Sequence, residues 1–199
     1  MTDFAVTWDY RCPFARIIHE HVLVALADGA DWTVRFVPFS LGQVHCSEGE
    51  ADIWDRPEDD SGLLALQVGV AVRDHTPDRF PAVHGAVFEA RHGKGLDLRD
   101  RDTLATLLAE HHVEPSDIWA AVDDGSALGT IRREHEAVAA SHHVWGVPTF
   151  LVGEQAAFVR VMERPGGDPA FARRTIERIL ALLVEAPELN ELKHTTLPR

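Results

Sequence analysis

The chain has 199 residues, 45% of them hydrophobic and 26% charged, a composition that supports one domain with its own core and excludes a disordered chain. Its formal net charge of -13, from 32 acidic against 19 basic residues, sets up a field that repels phosphate backbones and anionic lipid, so neither nucleic acid nor a membrane surface is an expected partner. No apolar run reaches the roughly 18 residues needed to cross a bilayer. The opening residues, Met1 to Asp9, carry neither the basic start nor the apolar stretch of an export signal, which points to the cytoplasm. Two cysteines in a reducing compartment suggest free or catalytic thiols rather than a structural disulfide.

Residues 4–9 alternate and are rich in aromatic and β-branched types, which predicts a first strand. Pro13 follows at a position suited to the first helical residue, where its missing N–H would have had no partner. Phe14, Ile17, Ile18, His21 and Ala25 then repeat at helical spacing until Gly29 closes the helix. Residues 32–39 read as a second strand, parallel to the first through that crossover. The acidic stretch from Glu48 to Gly62, broken by Pro57, predicts a hydrated surface loop with one helical turn about Trp54. Helices are expected over 63–74, 78–92, 102–112, 116–123 and 127–142, bounded by Pro77, Gly93, Asp102, Pro115, Ser116 and Gly125. Strands at 147–152 and 157–162 form a hairpin about Gly153, and Asp168 with Pro169 opens a last helix to about 185. The fold class is therefore α/β, with a thioredoxin-like core (β-α-β … β-β-α) at 1–45 and 144–199 around a loop and all-helical insertion at 46–143.

With a helix starting at Pro13, Cys12 takes the cap position, facing unpaired backbone N–H groups and the positive end of the helix dipole. Such a site is expected to lower the thiol pKa from its usual ~8.5, with Arg11 and Arg16 acting in the same direction. Cys12-Pro13-Phe14-Ala15 and the later Trp145-Gly146-Val147-Pro148-Thr149-Phe150 together resemble the DsbA-like branch of the thioredoxin superfamily. That resemblance covers the core at both ends of the chain. It implies that Pro148 is cis and lies against the active-site sulfur, and that the Val147 backbone pairs with an extended substrate. Pro13, Phe14, Trp8, Tyr10 and Trp145 flank the two motifs and are the further residues expected around a substrate or thiol, with Trp8, Tyr10 and Trp145 also readable as aromatic packing.

The chain departs from that family at Ala15, where a redox-active Cys-x-x-Cys needs its second cysteine. Cys12 is then expected to act as a monothiol, with a small thiol such as glutathione or mycothiol as co-substrate and no tightly bound cofactor. Related kappa-class glutathione transferases and 2-hydroxychromene-2-carboxylate isomerases open a second route, in which Cys12 positions a thiol for isomerisation or transfer. A non-catalytic binding module is the third. Expected partners are small-molecule thiols or disulfides, with protein disulfides and a homodimer as further options. Cys46, beside His45 after the second strand, reads as an incidental loop cysteine. His19 shares a helical face with Arg16 and reads first as a core or solvated histidine, while none of the 12 histidines has the spacing of a dedicated zinc site.

Overall fold

The computed structural model describes residues 2–196. Its sheet has the strand order β2-β1-β3-β4, built from β1 (Thr2–Trp8), β2 (Trp32–Pro38), β3 (Thr149–Val152) and β4 (Gln155–Phe158). The first two strands run parallel, from Thr2 opposite Trp32 to Trp8 opposite Pro38, because α1 (Pro13–Ala27) carries the chain back as a crossover. On the other side of β1, β3 is antiparallel, with Val6 opposite Phe150, and Gly153 at φ +58 turns it into β4. The last helix, α8 (Pro169–Glu185), lies against α1. This is the β-α-β … β-β-α order expected from the sequence. The second hairpin strand ends at Phe158 rather than 162: the Val159 N–H still bonds the Pro148 carbonyl opposite it at 3.1 Å, but Pro148 has no N–H to return the pair.

Between the two halves of the core stand α2 (Leu41–Val44), α3 (Leu63–His75), α4 (Phe80–His92), α5 (Arg101–Glu110), α6 (Pro115–Asp123) and α7 (Ser126–His142). Nine of the 13 residues of α3 are buried, and α4, α6 and α7 pack around it. The short α2 was not anticipated; Ser40 caps it by accepting the Gln43 N–H at 3.2 Å. The 48–62 segment has the expected helical turn about Trp54, and most of its acidic residues are exposed. It contains two single turns of 3₁₀ helix that bury Ile53 and Trp54, and Asp60 is buried because its carboxylate accepts the Gly62 and Leu63 N–H groups and so caps α3.

One buried hydrogen-bond chain ties the helical part to the core, and its polarity follows from its last member. The Thr7 carbonyl only accepts, so His19 Nε2 donates to it at 3.1 Å, which leaves His19 Nδ1 as an acceptor. His84 Nε2, on α4, donates there at 2.8 Å, and the Tyr10 hydroxyl donates to His84 Nδ1 at 2.7 Å. All three side chains are fully buried. At Gly69 on α3, an added Cβ would sit 2.5 Å from the Tyr10 hydroxyl, so only glycine lets α3 approach. Burial holds His19 at about 4 and pushes His84 well below its ordinary value. His135, stacked on Phe39 at 4.0 Å, is likewise held at about 4 by burial.

These rings are neutral in the fold, so the unfolded chain takes up protons first as pH falls. Stability is expected to be full above about 6.5 and to decline as pH drops from there to about 4, with His84, held lower, extending the loss further. His19 and His135 each contribute on the order of 3 kcal/mol to that loss. Urea unfolding at pH 7.5 and pH 4.5 measures it, and equal stability at both would contradict the neutral assignment.

Candidate functional site

The C-terminal end of β1 runs into a tight turn, in which the Cys12 N–H donates to the Asp9 carbonyl at 3.0 Å, and α1 begins at once at Pro13. Cys12 is the N-cap residue, in extended conformation, and its sulfur accepts the Ala15 N–H at 3.4 Å. From the opposite side the Val147 carbonyl accepts the thiol proton at 3.3 Å. The Val147–Pro148 peptide bond is cis, and both residues are buried. Two threonines fasten this turn to the sheet. Thr7 Oγ1 accepts the Thr149 N–H at 2.8 Å, and Thr149 Oγ1 donates to the Gly146 carbonyl at 2.8 Å. The fold thus brings together Cys12, Pro13, Val147 and Pro148 as one unit.

Cys12 is 8% exposed, and this reverses the expected direction of its pKa. Burial pushes the Cys12 thiol up. The N–H groups of Ala15 and Phe14 pull it back in part, Asp9 raises it further, and Arg160 lowers it. The helix-start effect is present but smaller than the cost of desolvating a thiolate. Arg11 and Arg16 do not supply the expected tuning, because their charges are matched elsewhere. Arg11 bridges Asp9 at 3.3 Å and Asp60 at 3.0 Å, and Arg16 pairs with Glu20 at 2.9 Å and with Glu89. Asp9 also accepts the Leu41 N–H at 2.8 Å, so this ion cluster anchors α2 beside the site.

The aromatic residues divide in two. Trp8 and Tyr10 are fully buried behind the turn, among His84, Phe80 and Phe88, and offer no face to a substrate. Trp145 is 63% exposed and packs on Phe158 at 4.7 Å between ring centres. Phe14 is half-buried, and the Arg160 guanidinium lies 5.3 Å from the ring centres of both Phe14 and Phe158. Phe158 and Arg160 were missed by sequence reasoning. Their spacing of two on an extended chain beside the Val147–Pro148 turn was the available signal, since alternate residues of a strand share a face.

Cys46 is half-buried one turn beyond α2. It donates to the Gly42 carbonyl at 3.5 Å and accepts from the Arg56 guanidinium at 3.5 Å. Both cysteines are free. His19 belongs to the buried chain that ends on the Thr7 carbonyl, so it supports the strand under the site rather than the sulfur. Among the described residues, no group of three or more His, Cys, Asp or Glu side chains is arranged to hold a metal ion.

The model of the DSBA-like thioredoxin domain family matches residues 6–164. The uncharacterized protein Rv2286c of Mycobacterium tuberculosis is 27% identical over 173 residues, covering 85% of this chain and 73% of its own. A 2-hydroxychromene-2-carboxylate isomerase superposes with TM-score 0.63 at 17% identity, over 96% of this chain and 100% of its own. The cytosolic disulfide reductase DsbM from Pseudomonas aeruginosa, solved with GSH, gives TM-score 0.61 at 16% identity, over 90% of this chain and 100% of its own. At these identities the two structures speak for the fold.

Proposed function

The chain belongs to the DsbA-like thioredoxin domain family, and from that premise we propose that it is a thiol-disulfide oxidoreductase whose one nucleophile is Cys12 and whose cycle a small thiol completes. The observation that carries this reading is the sulfur of Cys12 held between the first turn of α1 and the Val147 carbonyl, with Ala15 where a resolving thiol would stand. In the forward step the Cys12 thiolate attacks one sulfur of a disulfide. A Cys12–S bond forms, the disulfide bond breaks, and the departing thiolate takes up the proton that Cys12 lost. A second small thiol then attacks the mixed disulfide, freeing Cys12 and leaving a new small-molecule disulfide. The Val147 carbonyl and Pro148 would shape the substrate side of this cleft.

A raised thiol pKa fits the slow half of such a cycle. Fewer thiolates are present at neutral pH, but each is more nucleophilic, and Cys12 leaves the mixed disulfide reluctantly. The adduct is therefore a species that accumulates. Alkylation of Cys12 by iodoacetamide is expected to keep rising with pH beyond the range of an ordinary thiol. A plateau near neutral pH would show a depressed thiol instead.

Ala15→Cys tests the monothiol assignment. The variant restores Cys-x-x-Cys, and in a single turnover its release of the bound thiol is expected to lose its dependence on added glutathione, leaving a disulfide between Cys12 and the introduced cysteine that glutathione must reduce before the next round. A wild-type rate already independent of added thiol would sink the proposal. The likeness to the isomerase over nearly all of this chain supports a second reading, thiol-dependent isomerisation or transfer, in which Cys12 positions a thiol without becoming oxidised. It expects a non-covalently retained thiol and no mixed disulfide. DsbM is described as a cytosolic disulfide reductase, and that likeness supports the cytoplasm as the compartment here. Among the described residues no helix is long and apolar enough to cross a membrane.

A further inference from the structure

Beside the helix start that carries Cys12 and the Val147–Pro148 turn stands a strip of four side chains: Trp145, Phe158, Arg160 and Phe14. Its geometry is continuous. Trp145 packs on Phe158 at 4.7 Å, and the Phe158 ring lies so close over Gly146 that an added Cβ there would meet it at 3.4 Å. The Val159 N–H bonds the Pro148 carbonyl at 3.1 Å, which holds this segment alongside the cis-proline turn. Arg160 follows, its guanidinium 5.3 Å from the ring centres of both Phe158 and Phe14, and Phe14 is two residues from the reactive sulfur. Two aromatic faces hold this cation in place while leaving its hydrogen-bond donors to solvent.

The charge is also unmatched. Arg160 forms no ion pair among the described residues, in a chain with 32 acidic side chains and a net charge of -13. By contrast, Arg11 and Arg16, nearer in sequence to Cys12, are each bound to two carboxylates. An exposed, pre-oriented guanidinium is suited to a carboxylate, which it can bind through paired N–H donors. Resting on the reading of Cys12 as a nucleophile toward small disulfides, we propose that Arg160, carried between Phe14 and Phe158, recognises a carboxylate on the low-molecular-weight thiol partner. Glutathione has such a group and mycothiol has none, so the geometry favours an anionic thiol. Trp145 and Phe158 supply the apolar wall beside the sulfur.

The test compares three disulfides of similar size in stopped-flow or mass-detected thiolation of Cys12: dithiodipropionate, bearing two carboxylates, neutral hydroxyethyl disulfide, and cationic cystamine. Each rate is normalised to that with a free small-molecule thiol. The overall negative field alone orders them with the dianion slowest. Recognition by Arg160 makes the dianion faster than the neutral disulfide by about fivefold, the upper range for an exposed ion pair, with the advantage shrinking as salt rises. Arg160→Met keeps an apolar stem between the rings and is expected to bring that ratio to one or below, while Arg160→Lys retains part of it. A dianion slower than the neutral disulfide in the wild type, or a ratio unchanged by Arg160→Met, overturns the assignment. If none of the three thiolates Cys12, the nucleophile reading fails instead, and the two failures are told apart.

Discussion

Replacing Cys12 by serine is expected to lower the rate of disulfide exchange by at least about 10³-fold, while Cys46→Ser leaves it near the wild-type value. The first loss is large because the sulfur forms and breaks the bonds in both halves of the proposed cycle, and a serine hydroxyl at this pH is not ionised to any useful extent. The contrast matters more than either number. Cys46 faces Arg56 and the Gly42 carbonyl, whereas Cys12 faces Val147 and the open N-terminus of α1. Serine at position 12 preserves the cap, since its oxygen accepts the Ala15 N–H as the sulfur does. The variant should therefore fold normally, and its inactivity would report chemistry. Equal losses from both substitutions would mean that the two thiols work as a pair.

The second large effect concerns stability. His84→Leu is expected to destabilise the fold by about 3–5 kcal/mol, since it leaves the Tyr10 hydroxyl and His19 Nδ1 buried without a partner. For a domain of this size that is a fall in Tm of roughly 10 °C. Leucine retains much of the ring's volume among Trp8, Phe36, Phe80 and Phe88, so the loss comes mainly from unmet hydrogen bonds. A double-mutant cycle isolates this term. Adding Tyr10→Phe to His84→Leu removes one of the two orphaned groups, and the pair should be more stable than the sum of the single losses by about 1 kcal/mol or more. Strict additivity would contradict the directed chain from Tyr10 through His84 and His19 to Thr7.

Much of the fold was legible because its signals are local. Pro13 after Cys12 and Asp168 before Pro169 mark helix starts that the structure has, and runs of aromatic and β-branched residues mark β1 and β2. The hairpin about Gly153 is readable, but the bounds of its second strand are not, since the sequence alone does not place Val159 opposite Pro148, whose missing N–H ends the ladder. Asp60 reads as one more acid in a polar stretch until its role as the cap of α3 is seen.

At the site, the pairing of Cys12 with Val147, 135 residues apart, is visible only as two motifs in a familiar order. The direction of the Cys12 pKa was not legible. A helix start and two neighbouring arginines argue for a lower value, but burial and the destinations of Arg11 and Arg16 are properties of the folded chain. The buried histidine chain is hidden for the same reason, since Tyr10 and His84 lie 74 positions apart.

Intact-mass measurement of the protein after brief exposure to glutathione disulfide, followed by peptide mapping, tests the monothiol proposal most directly. The expected result is a single glutathione adduct on Cys12 that added glutathione removes, with Cys46 unmodified. A protein that loses two hydrogens and carries no adduct would show an internal Cys12–Cys46 disulfide and contradict it.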